Sequence, residues 1–131
     1  MGELQALIVD DSPTLRHSVI HALRGIPNLV CTEASDGAEG IRRLANGVFD
    51  LIVTDLQMPL MNGFAFIQYL RGRPATRAIP ILVVTAAGTE EDRRKLETAG
   101  VTAFLRKPFA ATQLVAMARG LLPRVGSGIG P

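Results

Sequence analysis

Five short apolar runs, separated by amphipathic stretches, constrain the fold of this chain more than any other feature of its sequence. The runs are rich in β-branched residues and recur at intervals of about 20 to 30 residues. The three densest runs lack polar/apolar alternation, which is typical of strands that are covered on both faces. The pattern predicts an α/β protein with a parallel sheet. The predicted strands are residues 6–9, 30–34, 51–54, 81–84 and 103–105.

Helix-start and helix-stop signals fill the segments between the predicted strands. Ser12 and Pro13 predict an N-cap and a first-turn proline for the first helix. Later helices are predicted at 38–45, at 63–70, between Thr89 and Gly100, and at 111–122. Ala110 leaves the fifth helix without a capping side chain. The first helix is expected to turn one stripe toward the core, formed by Leu15, Val19, Ala22 and Leu23.

Composition and charge exclude several classes of function. The chain has 131 residues, of which 47% are hydrophobic and 20% charged, as in folded globular domains. Its net charge of +2 is too small for nucleic-acid binding to be expected. No apolar stretch approaches the length of a membrane span, and the start, with Glu3, lacks the basic region of a signal peptide. Cys31 is the single cysteine, so it cannot form a disulfide within the chain, and it is expected to be a small core residue in a reducing compartment. The chain is therefore expected to be cytoplasmic, without membrane insertion.

One domain is predicted to occupy residues 4–122. The segment that follows, residues 123–131, reads PRVGSGIGP and is predicted to be a flexible Gly/Pro-rich tail or the stump of a linker. The residues outside the predicted domain are too few for an output domain. We therefore expect any output domain or downstream protein to belong to another chain.

Polar and charged residues follow four of the predicted strands at their carboxyl ends. They are Asp10 and Asp11 after the first strand, Asp55 after the third, Thr85 after the fourth and Lys107 after the fifth. In an open parallel sheet these ends form one ligand-binding edge. Three carboxylates in one place repel one another and need a cation, and oxygen ligands of this kind suit Mg²⁺. The arrangement favours phosphoryl transfer onto a carboxylate, with Asp55 as the acceptor.

These residues and their neighbours resemble the receiver domain of two-component response regulators, the CheY-like class. The resemblance covers about residues 4 to 122 and implies a doubly wound, flavodoxin-like (βα)5 fold, a three-layer sandwich around a five-stranded parallel sheet. The motifs that carry it are Asp10-Asp11 after LIV, Asp55 within VTDLQMPLMNG, Thr85-Ala86 after ILVV, and Lys107-Pro108-Phe109 after Phe104.

The resemblance implies roles for the acidic residues. Asp55 would be the phosphorylated aspartate, with a histidine kinase, a phosphotransfer protein or a small acyl phosphate as donor. Mg²⁺ would be held by Asp11, by Asp55, by the backbone carbonyl of Gln57 and, partly through water, by Asp10. The family is a class of phosphoacceptor signalling domains, so this chain would catalyse only its own phosphorylation and dephosphorylation.

The resemblance also implies how phosphorylation would be read. Lys107, next to a cis peptide bond to Pro108, would contact the phosphoryl oxygens. Thr85 would move to hydrogen-bond the phosphoryl group, and Phe104 would follow it inward as an aromatic switch. The fourth helix, fifth strand and fifth helix would then present a changed surface to a downstream protein partner or to a second copy of the chain.

Other interpretations of the same residues remain open. Thr85 could be an ordinary β-branched strand residue, and Phe104 a core aromatic. An aspartyl-phosphate phosphohydrolase uses similar strand-end groups, but that class carries a second Asp at the position of Gln57 and a cap domain. A scaffold that dimerises through a receiver fold without phosphorylation is the third possibility.

Overall fold

The structure is a computed structural model that describes residues 3–56, 62–86 and 89–123. Strands and helices alternate along these residues. The strands are β1 (Leu4–Val9), β2 (Leu29–Ala34), β3 (Leu51–Thr54), β4 (Ile81–Thr85) and β5 (Ala103–Arg106). The helices are α1 (Pro13–Leu23), α2 (Gly37–Ala45), α3 (Gly63–Arg71), α4 (Glu90–Ala99) and α5 (Ala111–Leu121).

The strands form one parallel sheet in the order β2-β1-β3-β4-β5. Because all strands run in the same direction, their carboxyl ends lie at one edge of the sheet. The chain order reverses between β1 and β3, and ligands of doubly wound sheets bind outside the strand ends at such a point. The predicted flavodoxin-like (βα)5 fold, with its five-stranded parallel sheet, is confirmed.

Apolar residues cover the sheet on both faces, which accounts for the absence of alternation in the central strands. Leu23 of α1 and Leu114 of α5 pack on one face, and both are fully buried. Phe66 of α3 and Leu96 of α4 pack on the other face, where α2 contributes partly buried residues. Each such side chain stabilises the fold by about 1.5–3 kcal/mol. The result is the expected three-layer sandwich.

The first helix begins as predicted but does not bury its whole stripe. The Ser12 hydroxyl accepts a hydrogen bond from the N–H of Leu15 at 3.3 Å and so caps α1. Val19 and Leu23 are buried, whereas Leu15 is 37% exposed, so its expected place in the core was wrong. Leu15 lies in the first turn, at the carboxyl edge of the sheet, and the sheet-facing contacts begin one turn later.

Two other sequence-based expectations concern the C-terminal tail and membrane insertion. The tail predicted from residue 123 lies outside the described residues except for Pro123. Among the helices that the structure describes, none is both long and apolar enough to cross a membrane.

Candidate functional site

The register of β1 and β3 brings two of the predicted carboxylates together. Val9 is the last residue of β1 and pairs with Thr54, the last residue of β3. The residues that follow, Asp10 and Asp55, lie side by side, and the N–H of Asp55 donates to the carbonyl of Val9 at 3.1 Å. One carboxylate oxygen from each of Asp10, Asp11 and Asp55 lies within 4.8 Å of the other two. The predicted acidic cluster is therefore present at the carboxyl edge.

Lys107 reaches the same cluster from β5. Its N–H donates to the carbonyl of Thr85 at 2.9 Å, which continues the pairing of β4 and β5 beyond the last strand residues. Its Nζ lies 2.9 Å from Oδ2 of Asp10 and 3.5 Å from Oδ2 of Asp55. The side chain is only 9% exposed, so the ammonium is held among the carboxylates rather than in solvent. The Lys107–Pro108 peptide bond is cis, as expected.

Backbone N–H groups fix the orientation of the two buried carboxylates. Oδ1 of Asp10 accepts from the N–H of Ser12 at 3.0 Å, and Oδ1 of Asp55 accepts from the N–H of Leu56 at 2.7 Å. The second oxygen of each carboxylate faces Lys107. Hydrogen bonds to a buried charge offset part of the cost of removing it from water. Contacts within the chain therefore set the orientation of both buried carboxylates.

The charge and chemistry of the cluster fit Mg²⁺. Three carboxylates and one ammonium leave a formal net charge of −2, which one divalent cation neutralises. Carboxylate oxygens are the protein ligands that Mg²⁺ prefers. Asp11 is exposed, so the cluster is open to solvent on its side. Gln57, expected to add a backbone carbonyl, lies outside the described residues.

The two predicted switch residues lie on neighbouring strands. Thr85 is the last residue of β4 and is fully buried. Phe104 of β5 is partly buried and packs against the core on the α3/α4 face of the sheet. The guanidinium carbon of Arg93 lies 5.8 Å from the centre of the Phe104 ring, a cation–π contact between α4 and β5. These positions fit a core aromatic as well as a switch, so the switch role remains a prediction.

Gly63 supports the site in a way that the sequence did not reveal. Its N–H donates to the carbonyl of Leu56 at 2.9 Å. A Cβ at this position would lie 2.6 Å from Cα of Leu56 and 2.7 Å from the carbonyl oxygen of Asp55. Only glycine allows α3 to approach the backbone of Asp55 so closely. A glycine directly after the N-cap Asn62 was the available signal, because glycine is a poor helix former.

Arg16 is a second residue that sequence reasoning missed. Its Nη1 donates to the carbonyl oxygen of Asp10 at 2.6 Å, and its Nε donates to Oε1 of Glu33 at 2.8 Å. Arg16 is the fourth residue of α1, near the positive end of the helix dipole, where a cation is disfavoured. A basic residue at that end of a helix was the available signal for a specific contact.

Comparisons with known proteins agree with this geometry. The sequence profile described as "Response regulator receiver domain" matches residues 6–119. The chain is 35% identical to chemotaxis protein CheY-3 of Vibrio cholerae serotype O1 over 111 residues, which are 85% of each chain. It is also 35% identical over 115 residues to a gliding motility regulatory protein of Myxococcus xanthus, covering 88% of this chain and 15% of that longer protein.

Solved structures show the same fold. Chemotaxis protein CheY4 of Vibrio cholerae is 30% identical, with a TM-score of 0.85, over 92% of this chain and all of that one. A sensor histidine kinase receiver domain from Pseudomonas aeruginosa PAO1 is 25% identical, with a TM-score of 0.81, over 92% and 98% of the two chains. That structure has a magnesium ion coordinated in its active site cleft.

The profile match spans most of the chain, the fold is shared, and acidic residues and a lysine converge at the edge of the sheet where the motifs predict them. The chain therefore belongs to the CheY-like receiver domains of two-component response regulators.

Proposed function

We propose that the chain is a phosphorylation-dependent switch in which Asp55 accepts a phosphoryl group from a histidine kinase or a phosphotransfer protein. The observation that carries the proposal is the environment of Asp55. Its carboxylate is 10% exposed, is oriented by the N–H of Leu56, and lies 3.5 Å from Nζ of Lys107 within a cluster of three acids. An oriented nucleophile beside a fixed cation is suited to phosphoryl transfer.

The chemistry follows from these groups. A carboxylate oxygen of Asp55 attacks the phosphorus atom, and the bond from phosphorus to the donor nitrogen or oxygen breaks with its electron pair leaving on the donor. The Lys107 ammonium stabilises negative charge on the phosphoryl oxygens. Bound Mg²⁺ would supply further charge neutralisation. The residues that would hold it are Asp10, Asp11 and Asp55, with the carbonyl of Gln57 as the family resemblance implies.

The readout is proposed to run from Thr85 to the surface of α4, β5 and α5. Thr85 is placed beside Lys107, because its carbonyl accepts from the N–H of Lys107, and Phe104 lies on the neighbouring strand. A hydrogen bond from Thr85 to the phosphoryl group would draw Thr85 toward Asp55, and Phe104 would move into the space released. A downstream protein partner, or an output domain in another chain, would bind the changed surface. The cytoplasmic location stays a prediction.

Labelling by acetyl phosphate tests the proposal without a kinase. We expect the wild-type chain to gain the mass of one phosphoryl group with Mg²⁺ present and to gain none with EDTA. Asp55→Asn is expected to abolish the gain. Asp36→Asn is the matched control: it removes one carboxylate, and Asn replaces Asp equally well as the N-cap of α2. Absence of labelling in wild type, or equal labelling in Asp55→Asn, contradicts the proposal.

A further inference from the structure

Arg16 links three parts of the fold: α1, on which it lies, the residue that follows β1, and β2. Its guanidinium donates to the carbonyl of Asp10, just beyond β1, and to the carboxylate of Glu33 in β2, at 2.6 and 2.8 Å. The Arg16 side chain is only 13% exposed, whereas that of Glu33 is 40% exposed, and both hydrogen bonds are partly buried. The two acceptors are reached by different nitrogens of one planar group. A lysine has a single nitrogen and cannot reproduce this two-pronged contact.

The hydrogen bond to Asp10 also constrains Asp11. The carbonyl of Asp10 and the N–H of Asp11 belong to one peptide unit, and that unit is planar. A donor that fixes the carbonyl therefore fixes the orientation in which the chain enters Asp11. None of the hydrogen bonds between described residues reaches the Asp11 carboxylate, so the backbone and the side-chain rotamer decide where this carboxylate lies.

The other polar groups of Asp10 are already held. Its N–H donates to the carbonyl of Ala34 at 3.1 Å. One carboxylate oxygen accepts from the N–H of Ser12 and the other from Nζ of Lys107. Arg16 supplies the remaining bond, to the carbonyl. With all four groups held, Asp10 and the start of Asp11 are fixed by contacts from α1, β2 and β5.

The helix dipole does not favour an arginine at this position, whereas the Glu33 carboxylate, 2.8 Å from Nε of Arg16, does. Arg16 lies near the positive end of the α1 dipole, where a cation is disfavoured, and the first turn of α1 holds no acid. A positive charge near the carboxylates also repels a divalent cation. Any benefit of Arg16 to metal binding must therefore come from its hydrogen bonds. The direction in which Mg²⁺ affinity changes when Arg16 is replaced thus separates the two roles.

We propose that Arg16 is a positioning residue for the magnesium site, which sets the placement of the Asp11 carboxylate by holding the carbonyl of Asp10. The inference rests on the proposed binding of Mg²⁺ by the cluster. It predicts that loss of Arg16 weakens Mg²⁺ binding, although it removes a nearby positive charge. A role of Arg16 through charge alone predicts the opposite direction.

Isothermal titration of the full chain with Mg²⁺ tests the inference. We expect Arg16→Met to raise the dissociation constant about tenfold, as is typical when a group that orients a metal ligand is lost. Arg16→Lys keeps the charge but loses one of the two contacts, so a smaller rise is expected. Arg24→Met removes the same charge from the exposed C-cap of the same helix and should leave the constant unchanged.

Two further readouts separate positioning from general stability. Urea unfolding without Mg²⁺ measures the structural cost of each variant. The ¹⁵N–¹H resonance of Asp11 in metal-free protein reports on the peptide unit, and we expect it to shift in both Arg16 variants and to stay in Arg24→Met.

The outcomes are distinguishable. A folded Arg16→Met that binds Mg²⁺ as tightly as wild type, or more tightly, overturns the positioning role and leaves the proposed function intact. If Arg16→Met does not fold, Arg16→Lys decides, and wild-type affinity together with a shifted Asp11 resonance in that variant overturns the role. A wild-type chain that does not bind Mg²⁺ overturns both the magnesium part of the proposed function and the inference that rests on it.

Discussion

At the scale of single residues, Gly63 affects both the stability of the fold and the position of the Asp55 backbone. Because a Cβ at Gly63 would lie 2.6 Å from Cα of Leu56, we expect Gly63→Ala to lower the free energy of unfolding by about 1–3 kcal/mol. The backbone at Asp55 must shift to admit the methyl group, so labelling by acetyl phosphate should also slow. Urea unfolding and the labelling rate measure the two effects.

Gly120 provides the control for this prediction. It lies in α5, and a Cβ there would meet nothing within 4 Å. Gly120→Ala is therefore expected to raise the free energy of unfolding by about 0.5–1 kcal/mol, the usual gain when alanine replaces glycine in a helix. Equal effects of the two substitutions would contradict the close approach at Gly63.

Cys31 gives a prediction about pH. Burial raises the pKa of its thiol from 9.0 to about 11, so the reactive thiolate is scarce at neutral pH. We expect iodoacetamide to modify Cys31 slowly in the folded chain at pH 8 and much faster in urea. The folded-state rate should keep rising with pH up to about 11. Equal rates in folded and unfolded chain would contradict burial of the thiol.

At the scale of an element, α5 begins without a cap. Its N-cap, Ala110, has extended backbone angles of −83° and 140° and makes no side-chain hydrogen bond. Since serine would accept a hydrogen bond from a free N–H of the first turn, Ala110→Ser should stabilise the chain by about 1 kcal/mol in urea unfolding.

Ala116→Ser is the control for the capping prediction. Ala116 is exposed in the interior of α5, where serine has lower helix propensity than alanine, so this change should destabilise slightly. If Ala110→Ser also destabilises, the cap of α5 is not where the structure places it.

Local patterns predicted the elements well, and long-range contacts less well. The predicted strand 51–54 and the helix start at Gly63 match the structure, because apolar runs and turn residues act locally. Leu15 shows the limit: its helical face was predicted correctly, but no pattern shows that the first turn of α1 lies at the edge of the sheet. Likewise, periodicity does not reveal that Arg16 reaches the carbonyl of Asp10.

The candidate site was predictable for a different reason. Parallel strands place their carboxyl ends at one edge of the sheet, so Asp10, Asp55 and Lys107 were expected at the same edge once the sheet was predicted. The sequence did not predict how the carboxylates and the Asp55 backbone are oriented at this edge. The backbone donors to the two buried carboxylates are local, two residues after Asp10 and one residue after Asp55, but the close contact of Gly63 with the Asp55 backbone follows from tertiary packing.

At the scale of the whole molecule, the distribution of exposed apolar side chains bears on whether the chain is a phosphorylation-dependent switch or a scaffold that dimerises without phosphorylation. Among the described residues, the large apolar side chains that are most exposed are Leu15, Val30 and Val48, and none of these lies in α4, β5 or α5. That surface therefore offers little apolar area for a permanent dimer. We expect the free chain to sediment as a monomer.

The sedimentation experiment is repeated with Mg²⁺ and BeF₃⁻, which mimics a phosphoryl group on aspartate. A dimer that forms only with BeF₃⁻ agrees with a switch, as does a monomer throughout. A dimer of equal affinity with and without BeF₃⁻ would instead support the phosphorylation-independent scaffold.

The central claim is that Asp55 is the residue that takes the phosphoryl group, and trapping the acyl phosphate tests it most directly. The chain is incubated with acetyl phosphate and Mg²⁺, reduced with borohydride, which converts a phosphorylated aspartate to homoserine, and sequenced by fragment mass spectrometry. We expect homoserine at position 55 and unmodified aspartate at Asp10 and Asp11. Homoserine at Asp10 or Asp11, or at no position, would contradict it.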